Sequence, residues 1–334
     1  MRAAIADRYG SPDVIRFVDL PTPTPDSREV LVRIHATTVN RTDLGVLTGS
    51  PAIARLFYGL TKPKYPVLGN EFAGAVEAIG DDVTGFAVGD HVFGWDGARF
   101  GCHAEFKVVR QDRLIALMPA GFEFEQAAPG NEGACYAFSN LRFGGIEERG
   151  KRVLIYGATG AIGSAAVQLA AHFGAEVTAV CATNHVELVR GLGATHVFDY
   201  TIDALPPPGA LYDIVFDAVG KTTYRTWKPA IVPGGAYVAS DAGPGGRNLS
   251  LALWSRFVGD HRVAMALPAH SQEQVRFFRG LMEAGEFRPL HDRTYPFDGI
   301  VDAFRYVATG EKVGNVVISL EPPPGFGRAS ASKM

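Results

Sequence analysis

Three glycines spaced three residues apart, Gly157, Gly160 and Gly163, lie between the apolar run Val153 to Tyr156 and the small-residue stretch "SAAVQLAAHF". The chemistry this pattern suits is the holding of phosphate. A chain that turns sharply from strand to helix, brings its backbone against a pyrophosphate and lays the helix close to the strand excludes a Cβ at each step. The phosphates then rest on amides at the helix N-terminus, where the helix dipole favours negative charge. Close helix packing alone also asks for small residues. What selects the dinucleotide reading is context: a strand before, a helix after, a second strand starting near Glu176, and further βα units beyond it.

At the end of that second strand an Asp or Glu would take the ribose hydroxyls of NAD and repel the 2′-phosphate of NADP. Here the sequence reads "CATNH", Cys181 to His185. The predicted cofactor is therefore NADP(H), with NAD(H) as the alternative. Thr183, Asn184, His185 and the phenol of Tyr200 are the predicted contacts at the 2′-phosphate, with Ala182 beside them among the cofactor-binding residues, against the plainer reading of an ordinary polar loop. Metal chemistry has no such pattern to stand on. Neither Cys102 with His103 nor the lone His91 shows ligand spacing, and no metal site is predicted.

The elements that must carry this turn follow from composition and periodicity. The chain has 334 residues, 47% of them apolar and 20% charged, enough for one large or two ordinary domains. A net charge of −3, with Lys and Arg scattered, points to neither nucleic acid nor an anionic membrane as partner. The N-terminus has no signal-peptide core, and no apolar run reaches the roughly 18 residues of a membrane span. Cys102, Cys135 and Cys181 are too few and too scattered for a disulfide framework. A cytoplasmic protein is expected.

Residues 1 to 120 read as short strands bounded by Gly, Pro or Asp, among them "EVLVRIHATTV" and "HAEFKVV". From 152 to 266, six strand cores alternate with helical stretches: "RVLIY", "EVTAVC", "HVFDY", "YDIVFDAV", "GAYVAS" and "HRVAMAL". That predicts an α/β fold with a doubly wound parallel sheet beside a β-rich body. The segment "TYPFDGIVDAFRYVATGEKVGNVVISL" returns to a helix and a strand that rejoin the β-rich body, and "EPPPGFGRASASKM" reads as a loose tail.

With "VNRTD" (39–43), "YPVLGNEFAGAVEAIGDDVTGFAVGDHVFG" (65–94), "GATGAIG", "ELVRGLGATHVFDYT" (187–201), "YDIVFDAVG" (212–220) and the closing "VGNVVISL", the chain resembles the medium-chain dehydrogenase/reductase superfamily, in its zinc-free quinone oxidoreductase (zeta-crystallin-like) branch. The resemblance implies a GroES-like β-barrel catalytic domain from residues 1–122 and 268–320, a Rossmann NAD(P)-binding domain from 123–267, and a flexible tail at 321–334. It places the active site in the cleft and implies a homodimer. Asn40 and Asn70 stand where zinc alcohol dehydrogenases carry Cys and His, and another Cys is missing near Asn131 or Glu132. Carried over as cofactor contacts, besides Gly157, Gly160 and Gly163, are Thr159, Ala161 and Ile162 at the pyrophosphate, Val219, and Ala242 and Leu267 near the nicotinamide.

Asn40 is the first candidate for a catalytic donor, against the reading that it caps its own turn, and Asp43 is expected to orient that turn. A Tyr that the branch often carries is replaced by Gly45. Tyr58 and Tyr65, in the insert "PAIARLFYGLTKPKYP", are alternative phenols on a lid, or part of an apolar loop packed over the cleft. Cys135 matches a Thr near the nicotinamide. Close relatives carry Ser and Arg where this chain has Ala182 and Asn184, so the guanidinium fork on the phosphate is gone. The implied function is NADPH-dependent hydride transfer to a quinone or activated alkene. Alternatives are a reductase of enoyl thioesters or of a biosynthetic intermediate, since "GNEFAG" resembles the thioester reductases, and a cofactor-binding protein with little catalysis.

Overall fold

The computed structural model describes residues 1–52, 55–203, 209–241, 243, 248, 260–268 and 271–321. In chain order the first elements are β1 (Arg2–Ile5), β2 (Arg16–Asp19), β3 (Glu29–Val39), α1 (Arg41–Thr48), α2 (Arg55–Tyr58), β4 (Glu71–Ile79), β5 (His91–Trp95), β6 (Phe106–Arg110), β7 (Ile115–Leu117) and α3 (Phe124–Ala127). There follow α4 (Glu132–Gly144), β8 (Arg152–Tyr156), α5 (Ala161–His172), β9 (Glu176–Cys181), α6 (Val186–Gly191), β10 (His196–Asp199), β11 (Tyr212–Asp217), α7 (Tyr224–Trp227), β12 (Ile231–Ala239), β13 (Arg262–Ala264) and α8 (Gln272–Glu283). The chain closes with β14 (His291–Pro296), α9 (Ile300–Thr309) and β15 (Asn315–Ser319).

Two compact units result, Met1–Pro129 with the stretch from His291 onward, and Gly130–Leu290. The first holds a seven-stranded sheet in the order β14-β15-β3-β4-β5-β7, with β6 also on β3. The C-terminal β15 runs antiparallel to β3, pairing Val316 with Val39, so the end of the chain completes the N-terminal body. Register shifts in β3 against β4, between Leu31 and Val32 and between Ile34 and Ala36, bend that long strand. Val39, Leu47, Leu68, Phe100, Phe304 and Ile318 fill one core of this unit, and Val30, Val32, Ile34 and Phe72 belong to another.

The second unit is the doubly wound sheet. Its six strands are parallel in the order β10-β9-β8-β11-β12-β13. The order reverses between β8 and β11, the switch point at which such sheets bind ligands beyond their carboxyl ends. Helix α5 has the composition to lie flat on that sheet, and everything from Gly163 to Ala170 in it is buried.

The units divide at Pro129/Gly130 and Leu290/His291, later in the chain than the bounds 122/123 and 267/268 expected from sequence. Helix α8 accounts for the later boundary. Gln168 of α5 donates to the Arg288 carbonyl at 3.0 Å and accepts from the Arg288 amide at 2.8 Å, which ties the segment after α8 to the parallel sheet. Phe138 and Phe278 meet edge to face across the same contact. Of the expected tail, only Glu321 is described. Among the described residues no helix is long and apolar enough to cross a membrane.

Candidate functional site

The turn after β8 separates its glycines by what each is for. Gly157 sits at φ +82°, and a Cβ there would lie 2.6 Å from Cγ1 of Val219. One on Gly163 would lie 2.0 Å from the Gly157 carbonyl oxygen. Both positions are closed to side chains by the fold itself. Gly160 is different: its backbone is extended, and among the described residues a Cβ would meet nothing nearer than the Gly157 carbonyl oxygen at 3.7 Å. No neighbour among the described residues requires glycine there, and open space above the backbone is what close approach of a ligand uses.

Helix α5 begins at once, with the Ser164 amide donating to the Gly160 carbonyl at 2.8 Å. The amides of Ala161, Ile162 and Gly163 precede the first intrahelical bond and have no acceptor within the helix. On a twelve-residue helix this is an anion cradle, and it fits the pyrophosphate of a dinucleotide. Thr159, half-buried, leads into it. The amides of Gly157 and Ala158 both donate to the Val180 carbonyl at 3.2 Å, fixing the cradle against the end of β9.

Val219 owes its place to Asp217, a residue the sequence reading passed over. The Asp217 carboxylate is fully buried. It accepts from the amides of Val219 (3.1 Å), Gly220 (2.8 Å) and Thr222 (2.8 Å), and from the Thr222 hydroxyl (2.7 Å). Trp227 donates its indole N–H to that same hydroxyl at 2.9 Å. The signal was present as an acid closing an apolar strand just before Gly220, since an Asp there folds the turn by accepting from successive amides.

At the end of β9, Ala182 is extended and Thr183–His185 form one 3-10 turn. Thr183 and Asn184 are exposed, His185 is half-buried, and Tyr200 is exposed while its amide donates to the Cys181 carbonyl at 3.1 Å. The residues predicted for the 2′-phosphate, with Ala182 beside them, are thus gathered at the ends of two neighbouring strands. A carboxylate that the sequence reading left without a role stands among them. Asp199 is the register partner of Cys181, and its oxygens accept from the Thr183 and Thr201 hydroxyls at 2.5 and 2.6 Å. Hydrogen bonds from Thr183 and Thr201 hold its carboxyl below the ordinary range. Burial, aided by the Asp199 charge, pushes the Cys181 thiol up to about 11.

In the other unit a polar cluster is buried where β3 passes into α1. The Asn40 side-chain amide donates to Glu71 Oε2 and to Asn315 Oδ1, each at 3.2 Å. Thr38 donates to the same Glu71 oxygen at 2.9 Å. Asp43 accepts from the Asn40 amide at 2.8 Å and so orients the turn. Both amide protons of Asn40 are directed inward, to a carboxylate and a carbonyl of its own unit. His103 donates from Nε2 to the Thr38 carbonyl at 2.8 Å, and burial pushes its imidazole down to about 4. Burial pushes the neighbouring Cys102 thiol up.

That donor set does not fit zinc. Asn40 and Asn70 carry amides, where zinc binding calls for thiolates or imidazoles, and His103 spends Nε2 on the Thr38 carbonyl. Among the described residues no three His, Cys, Asp or Glu side chains converge on a point.

Tyr58 closes α2 with its ring edge-on to Phe100, 5.6 Å between centroids, and Tyr65 packs on the same core. Leu56, Phe57 and Leu60 around it are exposed. Gly45 has little room for a side chain, because a Cβ would lie 3.2 Å from the Ser50 carbonyl oxygen. Leu267 is exposed, Cys135 is buried in α4, and Ala242 lies outside the described residues.

Residues 26–120 match the family described as alcohol dehydrogenase GroES-like domain, and residues 192–318 the family described as zinc-binding dehydrogenase. The chain is 32% identical over 334 residues to the 2-methylene-furan-3-one reductase of Solanum lycopersicum, covering 95% of this chain and 79% of that protein. It is 30% identical over 362 residues to the mitochondrial NAD(P)H oxidoreductase RTN4IP1 of Bos taurus, covering 96% and 89%. Among solved structures, the quinone oxidoreductase from Coxiella burnetii superposes with a TM-score of 0.85 at 26% identity, covering 96% of this chain and 99% of that one.

Proposed function

We propose that this chain, which belongs to the medium-chain dehydrogenase/reductase superfamily, is an NADPH-dependent reductase of quinones or enones that works without zinc and also accepts NADH. The observation that carries the reading is the donor set at the β3–α1 junction, with Asn40 bonded to Glu71 and Asn315. Interconverting a simple alcohol and a ketone puts charge on a developing alkoxide, which a Lewis acid normally stabilises. A conjugated acceptor takes hydride at a carbon remote from its oxygen and spreads the charge into an enolate or quinol anion. The name of the tomato relative describes such a substrate, an alkene conjugated to a ketone.

The reduced nicotinamide supplies the hydride when bound. The chain's part is to hold and to protonate. The amides of Ala161, Ile162 and Gly163 bind the pyrophosphate, and Val219, fixed by Asp217, keeps the turn closed over Gly157. Asn40 is the positioning residue of the β3–α1 junction. Tyr58, its ring seated on Phe100, is the proposed phenol that protonates the enolate carbon. The same reading makes the protein a homodimer in a reducing cytoplasm. In its support, among the described residues β13 is an edge strand that pairs with β12, and the three cysteines are buried and in no disulfide.

Reduction of an enone with NADPH carrying deuterium on the nicotinamide C4 tests the proposal. Mass spectrometry is expected to find the label on the conjugated carbon; label on the carbonyl carbon would mean direct ketone reduction and would overturn it.

A further inference from the structure

Strand β10 supplies what β9 lacks. No acid lies in the stretch Cys181 to His185 that ends β9, yet Asp199 pairs with Cys181 across the parallel ladder and sets a carboxylate beside Thr183. The Thr183 hydroxyl proton goes to Asp199 Oδ2, and the Thr201 hydroxyl proton goes to Oδ1, which also accepts the Thr201 amide at 2.9 Å. Each hydroxyl has one proton to give. The two oxygens lie 2.9 Å apart, and toward any further group they offer lone pairs alone. A second carboxylate is close by, since Asp203 accepts from the Asp199 amide at 3.0 Å. What holds the Asp199 carboxyl ionised is hydroxyl and amide hydrogen bonds, with no cation among them.

Such a surface suits a ligand that donates hydrogen bonds. Ribose hydroxyls donate, whereas a 2′-phosphate needs donors and is repelled by a carboxylate. The cradle around Gly160 is tied to the end of β9 through Val180, so the adenosine end of the cofactor is read at these strand ends.

We propose that Asp199, reaching over from β10, is the specificity-determining residue for the adenosine ribose, taking the place of the acid absent after β9. The inference rests on the dinucleotide reading of the glycine turn. It implies that Thr183 adds nothing to phosphate binding, and that NADPH exceeds NADH in affinity by less than about tenfold, in line with one carboxylate, itself largely buried, opposing one phosphate.

Equilibrium titration of the folded chain and of Asp199→Asn with NADPH, NADH, 2′,5′-ADP and 5′-AMP is the test. Asp199→Asn is expected to raise the affinity ratios NADPH/NADH and 2′,5′-ADP/5′-AMP by about tenfold or more, NADH and 5′-AMP weakening as their ribose hydroxyls lose the charged acceptor. A variant that melts like the parent and leaves both ratios unchanged overturns the inference. So does a parent that prefers 2′,5′-ADP to 5′-AMP by more than about a hundredfold, a result that needs no variant and survives if Asp199→Asn does not fold. Thr183→Val provides a further check, since a loss of affinity confined to NADPH would show that Thr183 serves the phosphate. Failure of the parent to bind either NADPH or NADH would instead refute the dinucleotide reading beneath the proposal.

Discussion

Gly157 and Val219 close the nucleotide turn against each other: a Cβ on Gly157 would stand 2.6 Å from Cγ1 of Val219, at a backbone φ of +82° that side chains seldom adopt. Gly160, three residues on, meets no such neighbour among the described residues. The two glycines should therefore respond differently to substitution. Gly157→Ala is expected to cost roughly 1–3 kcal/mol of stability through strain and overlap. Gly160→Asp is expected to melt like the parent and to lose cofactor affinity by about tenfold to a hundredfold, the equivalent of one ionic hydrogen bond to phosphate. Thermal melts paired with cofactor titration separate the two.

Asp217 should behave as a single point of failure for the turn that holds Val219. Asp217→Ala leaves three partly buried amides without their acceptor, each worth up to about 1–3 kcal/mol. The expected result is a large loss of stability together with weakened cofactor binding. Asp217→Asn keeps one acceptor oxygen and should recover part of both. Hydrogen exchange at the Val219 and Gly220 amides reports the damage directly, with faster exchange in Asp217→Asn as the expected outcome.

Much of the nucleotide half was legible in the sequence, because a parallel strand buried on both faces reads as an unbroken apolar run, and six such runs were visible. Gly157, Gly160 and Gly163 could be found but not told apart. Which glycine the fold needs and which a ligand needs depends on Val219, more than fifty residues away. Asp199 escaped for a related reason: spacing along the chain says where β9 ends, whereas the register of β10 against β9 decides which side chain arrives there. Helix α8 falls within the unit Gly130–Leu290, the segment after it tied there by Gln168 and Arg288, a long-range contact without a local signal.

His103 should make stability depend on pH. Its folded value is pushed from 6.5 down to about 4 by burial, so the unfolded chain takes up a proton first as pH falls. Stability attributable to this residue is whole above about pH 6.5 and is lost progressively toward pH 4, by about 3 kcal/mol at most. In His103→Gln, where the amide can still donate to the Thr38 carbonyl, the slope across that window is expected to flatten. Chemical denaturation of parent and variant at a series of pH values measures it.

Tyr58→Phe keeps the ring on Phe100 and removes the hydroxyl. If the phenol protonates the enolate carbon, kcat should fall by about tenfold to a thousandfold, the usual worth of a general acid, with KM for NADPH unchanged. A ring that only packs would leave kcat within about threefold of the parent.

The central claim, hydride transfer to a conjugated acceptor without a metal, meets its most direct test in the oxidation of NADPH, followed by nicotinamide absorbance in the presence of a chelator. The acceptors are quinones, enones, enoyl thioesters, and saturated ketones of the same carbon skeletons. Turnover of a quinone or enone, indifferent to the chelator and absent with its saturated counterpart, is the expected result. Turnover of a saturated ketone that the chelator abolishes and added zinc restores would contradict it, as would the absence of oxidation with every acceptor.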